Sequence, residues 1–363
     1  MAYTVLHSLA LMNRGGAETF IMKVYRVIRI EEYQFDFIVS KEGGCYTQEV
    51  LERGGKVYKI PLRTKKPLGA LSGIWKIVKE NEYSYVVKLG DSPISVLDLI
   101  AAKLGGAKRL AMRSCNALTG LSWWSKCVNA LFRPMLNAIA NVKIAPSAMA
   151  AEFTFGKYHA HQDVHLLHNG LDLDVFSYNE LDRYRIREEF NLGNKLVIGH
   201  VGRLHKQKNH RYLLEVFLKI REYRDDAVLM LVGIGKLEKE IRELTITLGL
   251  KDSVIFTGQR FDIPQLMSAM DVFVFPSLHE GMPNTVIEAQ AMGLPCVIAD
   301  TITSEANITG LVSYMPLNAE KENWAKKVLS VITEERRRTK EEFIKQGYDI
   351  ESVSKKLIGL IFD

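Results

Sequence analysis

Cysteine is scarce in this chain, and a long apolar run is missing altogether. Cys45, Cys115, Cys127 and Cys296 are scattered without CxxC spacing, so neither a disulfide scaffold nor a cysteine zinc site is expected, and reduced thiols in a cytoplasmic protein account for them. No stretch of 18 or more apolar residues offers a membrane-spanning helix. The N-terminus, MAYTVLHSLALMNRGG, lacks the basic n-region of a signal peptide and reads as a first buried strand ending in a glycine loop. Low-complexity tracts and 20–50-residue repeats are missing too, which excludes solenoids. No basic run is interleaved with stacking aromatics, so nucleic acid is not an expected partner.

What remains is an ordinary globular composition, 47% hydrophobic and 25% charged, in a length of 363 residues that suits two domains, each with its own core. Charge is unevenly divided. Residues 1–172 hold 22 Lys+Arg against 14 Asp+Glu, whereas residues 173–363 hold 26 against 28. The basic N-terminal half suits an anionic partner, either a phosphate-bearing acceptor or an anionic membrane face, although ordinary surface charge explains it equally well.

Apolar runs alternate with amphipathic ones throughout, the pattern of parallel sheets flanked by helices in an α/β protein. Strands are expected at YTVLHSL, FDFIVS, KVYKIP, YVVKLG, RLAMRS, VKIAPS and VHLLHNG. A second series runs LVIGHVG, AVLMLVG, VIFTG, VFVFPS, PCVIAD and LVSYMPL. The boundary falls after HNGLDLDVF, which predicts one domain over 1–172 and a second over 173–349. A terminal helix at about 350–363 is expected to pack back on the first.

The densest chemistry lies in SLHEGMPNTVIEAQAM (Ser277–Met292). A buried strand, DVFVFPS, runs into a Gly/Pro loop and then a helix from about Thr285. Glu280 stands before the helix and Glu288 in its second turn, among the apolar Val286, Ile287, Ala289 and Ala291. In open α/β sheets, ligands bind beyond the carboxyl ends of the strands, and first-turn helix amides favour phosphate. HVGRLHKQKNH (His200–His210) likewise follows a strand and opens a helix. Arg203 and Lys208 flank its turn, Gly202 permits close approach, and Asn209 is a candidate N-cap. Two fixed cations there would favour a bound phosphate and stabilise negative charge that develops on it without a metal.

Other segments are weaker. NRGGAET supplies Gly15 and Gly16 after the first strand. LVGIGKLE supplies Gly233 but no GxGxxG fingerprint, which disfavours NAD. TGQRFDIPQL offers backbone groups at Arg260 and Phe261. RTKKPLG and LSWWSKCVNALF, with Trp123 and Trp124 beside Lys126, form a candidate acceptor or membrane surface, or simply a loop packed by two tryptophans. The four histidines of HAHQDVHLLH fit no standard zinc spacing. Asp172-Leu173-Asp174 imitates a DxD metal motif but falls in the inter-domain connection, and Asn307-Ile308-Thr309 is a formal sequon without meaning in a cytoplasmic chain.

Glu280 and Glu288 with seven residues between them, together with Gly281, Pro283 and Ala289, resemble the paired-glutamate signature of the family-4 retaining glycosyltransferases. The GR-x4-KN arrangement of Gly202, Arg203, Lys208 and Asn209 matches the same family, as do the GGxE loop at Gly15–Glu18 and the NGLD connection. The resemblance covers essentially the whole chain, with bacterial exopolysaccharide and capsule transferases as the nearest look. It implies a GT-B fold, two Rossmann-like domains facing each other across a cleft. It also implies transfer of a hexose or N-acetylhexosamine from a nucleotide-sugar, UDP-linked, to a lipid-linked or oligosaccharide acceptor, with no metal and no other cofactor.

On that resemblance, Arg203 and Lys208 meet the diphosphate, Glu280 the sugar hydroxyls and Glu288 the ribose. Gly16, Gly202, Gly233, Arg260, Phe261, Gly281, Met282, Asn284 and Thr285 complete the donor site. The favoured mechanism is same-face substitution, in which the departing phosphate takes the acceptor proton and the protein supplies position and charge. Arg113, Cys115 and Asn116 are candidate acceptor contacts. Relatives commonly carry His where this chain has Cys115, and a thiol holds no positive charge. That departure favours a second reading, a non-catalytic GT-B subunit supporting a partner transferase. A GT-B epimerase finds no support in the NGLD and HEGMP segments. The expected location is cytoplasmic, at the inner face of the membrane if the basic half attaches there.

Overall fold

The computed structural model describes residues 3–13, 15–41, 43–115 and 122–363. It divides into two compact units, Met1–Leu171 with Gly347–Asp363, and Asp172–Gln346.

The first unit is built on β1 (Tyr3–Ser8), β2 (Tyr33–Val39), β3 (Val57–Lys59), β4 (Tyr85–Gly90), β5 (Arg109–Ser114), β6 (Val142–Ala145) and β7 (Val164–Leu166). All pair in parallel, in the order β3-β2-β1-β4-β5-β6-β7. The central strands are apolar on both faces because helices cover both faces. VHLLHNG yields only the three-residue edge strand β7. The chain then turns away, so that the Leu171 amide donates to Tyr348 O and the Ile350 amide to Leu171 O. The helix Ile350–Phe362 buries Ile350, Val353, Leu357 and Ile361, a helical stripe, within the core of this unit. Asp349 caps its first turn, accepting from the Ser352 amide at 2.9 Å. Phe362 closes against Tyr3, Tyr33 and Tyr85, with ring centroids 5.5, 5.2 and 4.6 Å away.

The second unit carries β8 (Val197–Val201), β9 (Val228–Val232), β10 (Val254–Gly258), β11 (Val272–Phe275), β12 (Cys296–Ala299) and β13 (Val312–Met315). Its parallel order is β10-β9-β8-β11-β12-β13. Each sheet reverses its winding direction once, between β1 and β4 in the first and between β8 and β11 in the second. At such a reversal the loops at the carboxyl ends diverge and leave a crevice. Every strand expected from the apolar pattern is present.

Candidate active site

The loops after β8 and β11 flank the reversal point of the second sheet, and the two are stitched together. The Leu278 amide donates to Gln207 O at 2.8 Å, and Ser277 Oγ lies 2.9 Å from the same oxygen. Gln207 Nε2 returns a bond to His279 O at 2.8 Å. Across this seam Lys208 Nζ donates to Glu280 Oε1 at 2.7 Å, with side chains only 17% and 11% exposed. The same Oε1 accepts from Ser277 Oγ at 2.7 Å and Gln207 Nε2 at 3.2 Å. Three donors thus converge on one carboxylate oxygen, while no donor among the described residues reaches Glu280 Oε2. A carboxylate held by one oxygen presents the other to a ligand hydroxyl.

Lys208 is fixed from beneath as well. Its ammonium stands 4.4 Å above the centre of the Phe275 ring. Its stem passes Gly202 so closely that a Cβ there would lie 3.4 Å from Lys208 Cδ and Cε, and 3.2 Å from His200 Nε2. Lys208 ends the short turn Lys206–Lys208, and Asn209 follows with φ 56°. The expected cap is corrected here: Asn209 occupies the N-cap position of the helix His210–Tyr223, but in the left-handed conformation its side chain makes no capping bond. Arg203 is exposed and has no ion-pair partner among the described residues.

The loops after β8, β9 and β10 zip together through Gly202 N to Val232 O and Gly233 N to Gly258 O, both 2.9 Å. Gly233 has φ 134°, and a Cβ on it would sit 2.3 Å from Gly202 O. The glycine is therefore required by the neighbouring loop, whatever ligand approaches it. The Arg260 side chain is engaged by Glu189 and Asp262 at 2.6 Å each. Phe261 is exposed. Gly281 and Met282 lie half-buried in the loop, Asn284 and Thr285 open the helix Asn284–Ala291, and Glu288 is half-buried within it.

In the first unit, Gly16 opens the helix Gly16–Val27. A Cβ on Gly15 would lie 2.2 Å from Glu18 Oε2, so the glycine admits the Glu18 carboxylate folded over that helix end. Burial, and secondarily Asp91, raises the Glu18 pKa. Arg113 is buried, with its guanidinium 3.6 Å from the centre of the Phe20 ring and Nη2 donating to Asn169 at 2.7 Å. Burial pushes the Cys115 thiol up to about 12, so it is neither cation nor thiolate at neutral pH. Asn116 lies outside the described residues.

The sequence reading missed a charge cluster at the carboxyl ends of β1 and β4. Lys88 donates to Ser8 Oγ at 3.3 Å and pairs with buried Asp98 at 2.8 Å, and Arg63 pairs with the same carboxylate. Burial, with the Arg63 charge beside it, pulls the Lys88 pKa down to about 8. Its signal was a lone lysine inside the apolar run YVVKLG. Gln207 and Ser277, which hold Glu280, carried no signal of their own.

Other motifs find local explanations. Asp172 Oδ1 accepts from the amides of Asp174 and Val175 at 3.1 Å, a turn. His159 bonds Asp163 at 3.1 Å and His168 bonds Pro146 O at 3.1 Å. Among the described residues no three His, Cys, Asp or Glu side chains are arranged to hold a metal ion.

Comparison with known proteins shows the family and the fold. Residues 195–334 match the family model for glycosyl transferases group 1. The chain is 36% identical over 358 residues to a protein named glycosyltransferase EpsF from Bacillus subtilis, covering 95% of this chain and 92% of that one. It is 27% identical over 311 residues, 82% of this chain and 79% of the other, to the UDP-Gal:alpha-D-GlcNAc-diphosphoundecaprenol alpha-1,3-galactosyltransferase of Escherichia coli. Among solved structures, Anabaena HepE in complex with UDP and glucose superposes with a TM-score of 0.77 at 19% identity, over 98% of both chains. A glycosyltransferase from Rickettsia africae gives 0.80 at 18% identity, over 99% of this chain and 98% of that one. The architecture is that of the GT-B glycosyltransferases.

Proposed function

The chain belongs to the group 1 glycosyl transferases, and from that premise we propose that it moves a hexose or N-acetylhexosamine from a UDP-sugar to a lipid-linked or oligosaccharide acceptor, with retention, during assembly of a cell-surface polysaccharide. The observation that carries the reading is Glu280 saturated on Oε1 by Lys208, Ser277 and Gln207, with no donor to Oε2 among the described residues. Lys208 and Arg203 meet the diphosphate, Glu280 Oε2 accepts from a hydroxyl of the transferred sugar, and the amides opening the helix Asn284–Ala291 face phosphate. Glu288 takes the ribose. UDP is favoured because the Escherichia coli relative is named for UDP-galactose and the Anabaena structure holds UDP.

Bond breaking places negative charge on the departing diphosphate. Lys208, already fixed over Phe275, stabilises that charge without reorganising, which is where preorganised cations lower a barrier most. The β-phosphate oxygen takes the acceptor proton on the same face, so no protein nucleophile and no metal are required. On the acceptor side we assign the cluster of Arg63, Lys88 and Asp98, with Glu18 and Asp91 nearby, at the β1/β4 reversal. Residues 99–151 contain no Asp or Glu. Within them the helix Trp123–Ile139 begins with Trp123 and Trp124, 68% and 72% exposed, which supports peripheral attachment to an anionic membrane. No helix among the described residues is long and apolar enough to cross one.

Cys115 supports the alternative, a non-catalytic subunit. Incubating the purified chain with UDP-glucose, UDP-galactose and UDP-N-acetylglucosamine separates the two. Slow release of UDP from one donor supports the enzyme, and a chain that binds UDP without ever hydrolysing a donor supports the subunit.

A further inference from the structure

Two histidines lie buried under the Lys208–Glu280 pair, and the reaction as described uses neither. His200, on β8, is fully buried, and its Nδ1 lies 2.9 Å from Val274 O on β11. A carbonyl only accepts, so Nδ1 carries the proton and Nε2 is left as a bare lone pair with no partner among the described residues. The register between β8 and β11 has Val272 opposite Ile198 and Phe273 opposite Gly199. The His200 bond to Val274 O is the next rung toward the crevice, supplied by a side chain where the strands diverge. His200 also stacks on Phe275, with centroids 5.3 Å apart and planes at 21°, and Phe275 is the ring that carries the Lys208 ammonium. His210 backs the stack, its ring 4.7 Å from that of His200 at 75°.

We propose that His200 is a positioning residue. By clipping β11 to β8 at their carboxyl ends and stacking on Phe275, it fixes Lys208 against Glu280, with His210 as its backing. The inference rests on the diphosphate role assigned to Lys208 above. Histidine fits this place because it combines a flat ring for Phe275 with an edge donor for the carbonyl, which phenylalanine and leucine lack. It works as a neutral imidazole. Burial chiefly, with Lys208 adding, holds both histidines below their ordinary pKa. The other charged side chains near the pair are Lys206, Arg211 and Glu240, which line a cavity of about 280 Å³ against His210.

The test is a cycle of His200→Phe, His200→Asn, Lys208→Met and the His200→Phe/Lys208→Met double variant, each assayed for hydrolysis of the UDP-sugar that the wild-type chain turns over fastest. Asparagine keeps a donor near the Nδ1 position. His200→Phe is expected to lower kcat at least tenfold with KM within about threefold, and His200→Asn to recover most of that loss. In the double variant the histidine change should add less than twofold to the Lys208→Met loss, because residues acting through one another are not additive. If the two losses multiply, or if His200→Phe retains wild-type kcat, the positioning role is wrong while the diphosphate role stands. Should Lys208→Met itself leave the rate unchanged, the diphosphate reading is what fails. A variant-free check is the nitrogen NMR spectrum of the labelled wild-type chain. It should show a buried histidine protonated at Nδ1 from pH 8 down to 5, and an imidazolium or the other tautomer at His200 would overturn the proposal.

Discussion

Replacing Lys208 by methionine separates what the ammonium does for the fold from what it does for the reaction. The methionine stem still passes Gly202 and rests on Phe275, so packing survives. Glu280 then loses its one charged donor but keeps Ser277 Oγ and Gln207 Nε2. Breaking a deeply buried pair costs about 3–5 kcal/mol. With two neutral donors remaining and both side chains partly exposed, about 2 kcal/mol is the better figure. In a unit of this size that lowers the melting temperature by about 4–8 °C. Catalysis should fall much further. Removing one preorganised group that stabilises transition-state charge costs about 100- to 1,000-fold in kcat. Adding Glu280→Gln removes the stranded carboxylate and should return most of the stability, while the rate stays low because the cation is still missing. Scanning calorimetry and UDP release from the preferred donor read the two effects. A Lys208→Met chain within threefold of wild-type kcat, or a double variant that regains its rate, would refute the reasoning.

Further outcomes follow from the same structure. His7, His200 and His210 are buried with pKa values held down, to about 3 for His7, well below normal for His200 and to about 4 for His210. The unfolded chain therefore binds more protons than the folded one below pH 6.5, and stability is lost as pH falls from 6.5 toward 4. His7 and His210 cost about 2 kcal/mol each at pH 5, about 4 together, and His200 acts in the same direction. Urea unfolding at pH 7 and 5 measures this, and equal midpoints would contradict it. Trp123→Ser with Trp124→Ser should abolish flotation of the chain with anionic liposomes at low salt, and a wild-type chain that stays at the bottom of the gradient would remove the membrane proposal.

The strands were legible because each is a short, continuously apolar run between glycine- or proline-bearing loops, and such runs have few other places to go. Legible too was the clustering of chemistry after VIGHV and VFVF. A lysine five residues past an arginine and two glutamates with seven residues between them are visible patterns. What joins them was not. Oε1 of Glu280 collects donors from both loops, and that depends on β8 and β11 being neighbours at a winding reversal, a fact of topology absent from local sequence. Asn209 misled because its type suits a cap, whereas its backbone adopts φ 56° and turns the side chain out of that role. Gly233 suggests room for a ligand in the sequence, and the structure adds a second demand on it, the close approach of Gly202 O. Lys88 and His200 were hidden inside apolar strands, where a polar residue looks like an exception until its partner on the adjacent chain segment is known.

The central claim is a diphosphate gripped by Lys208 and Arg203 without a divalent ion. Titrating UDP into the chain by calorimetry, once with EDTA and once with magnesium, tests it most directly. The account predicts one-to-one binding of equal affinity in both, weakened at least tenfold by Lys208→Met. No association with UDP, or association only when magnesium is present, would contradict it.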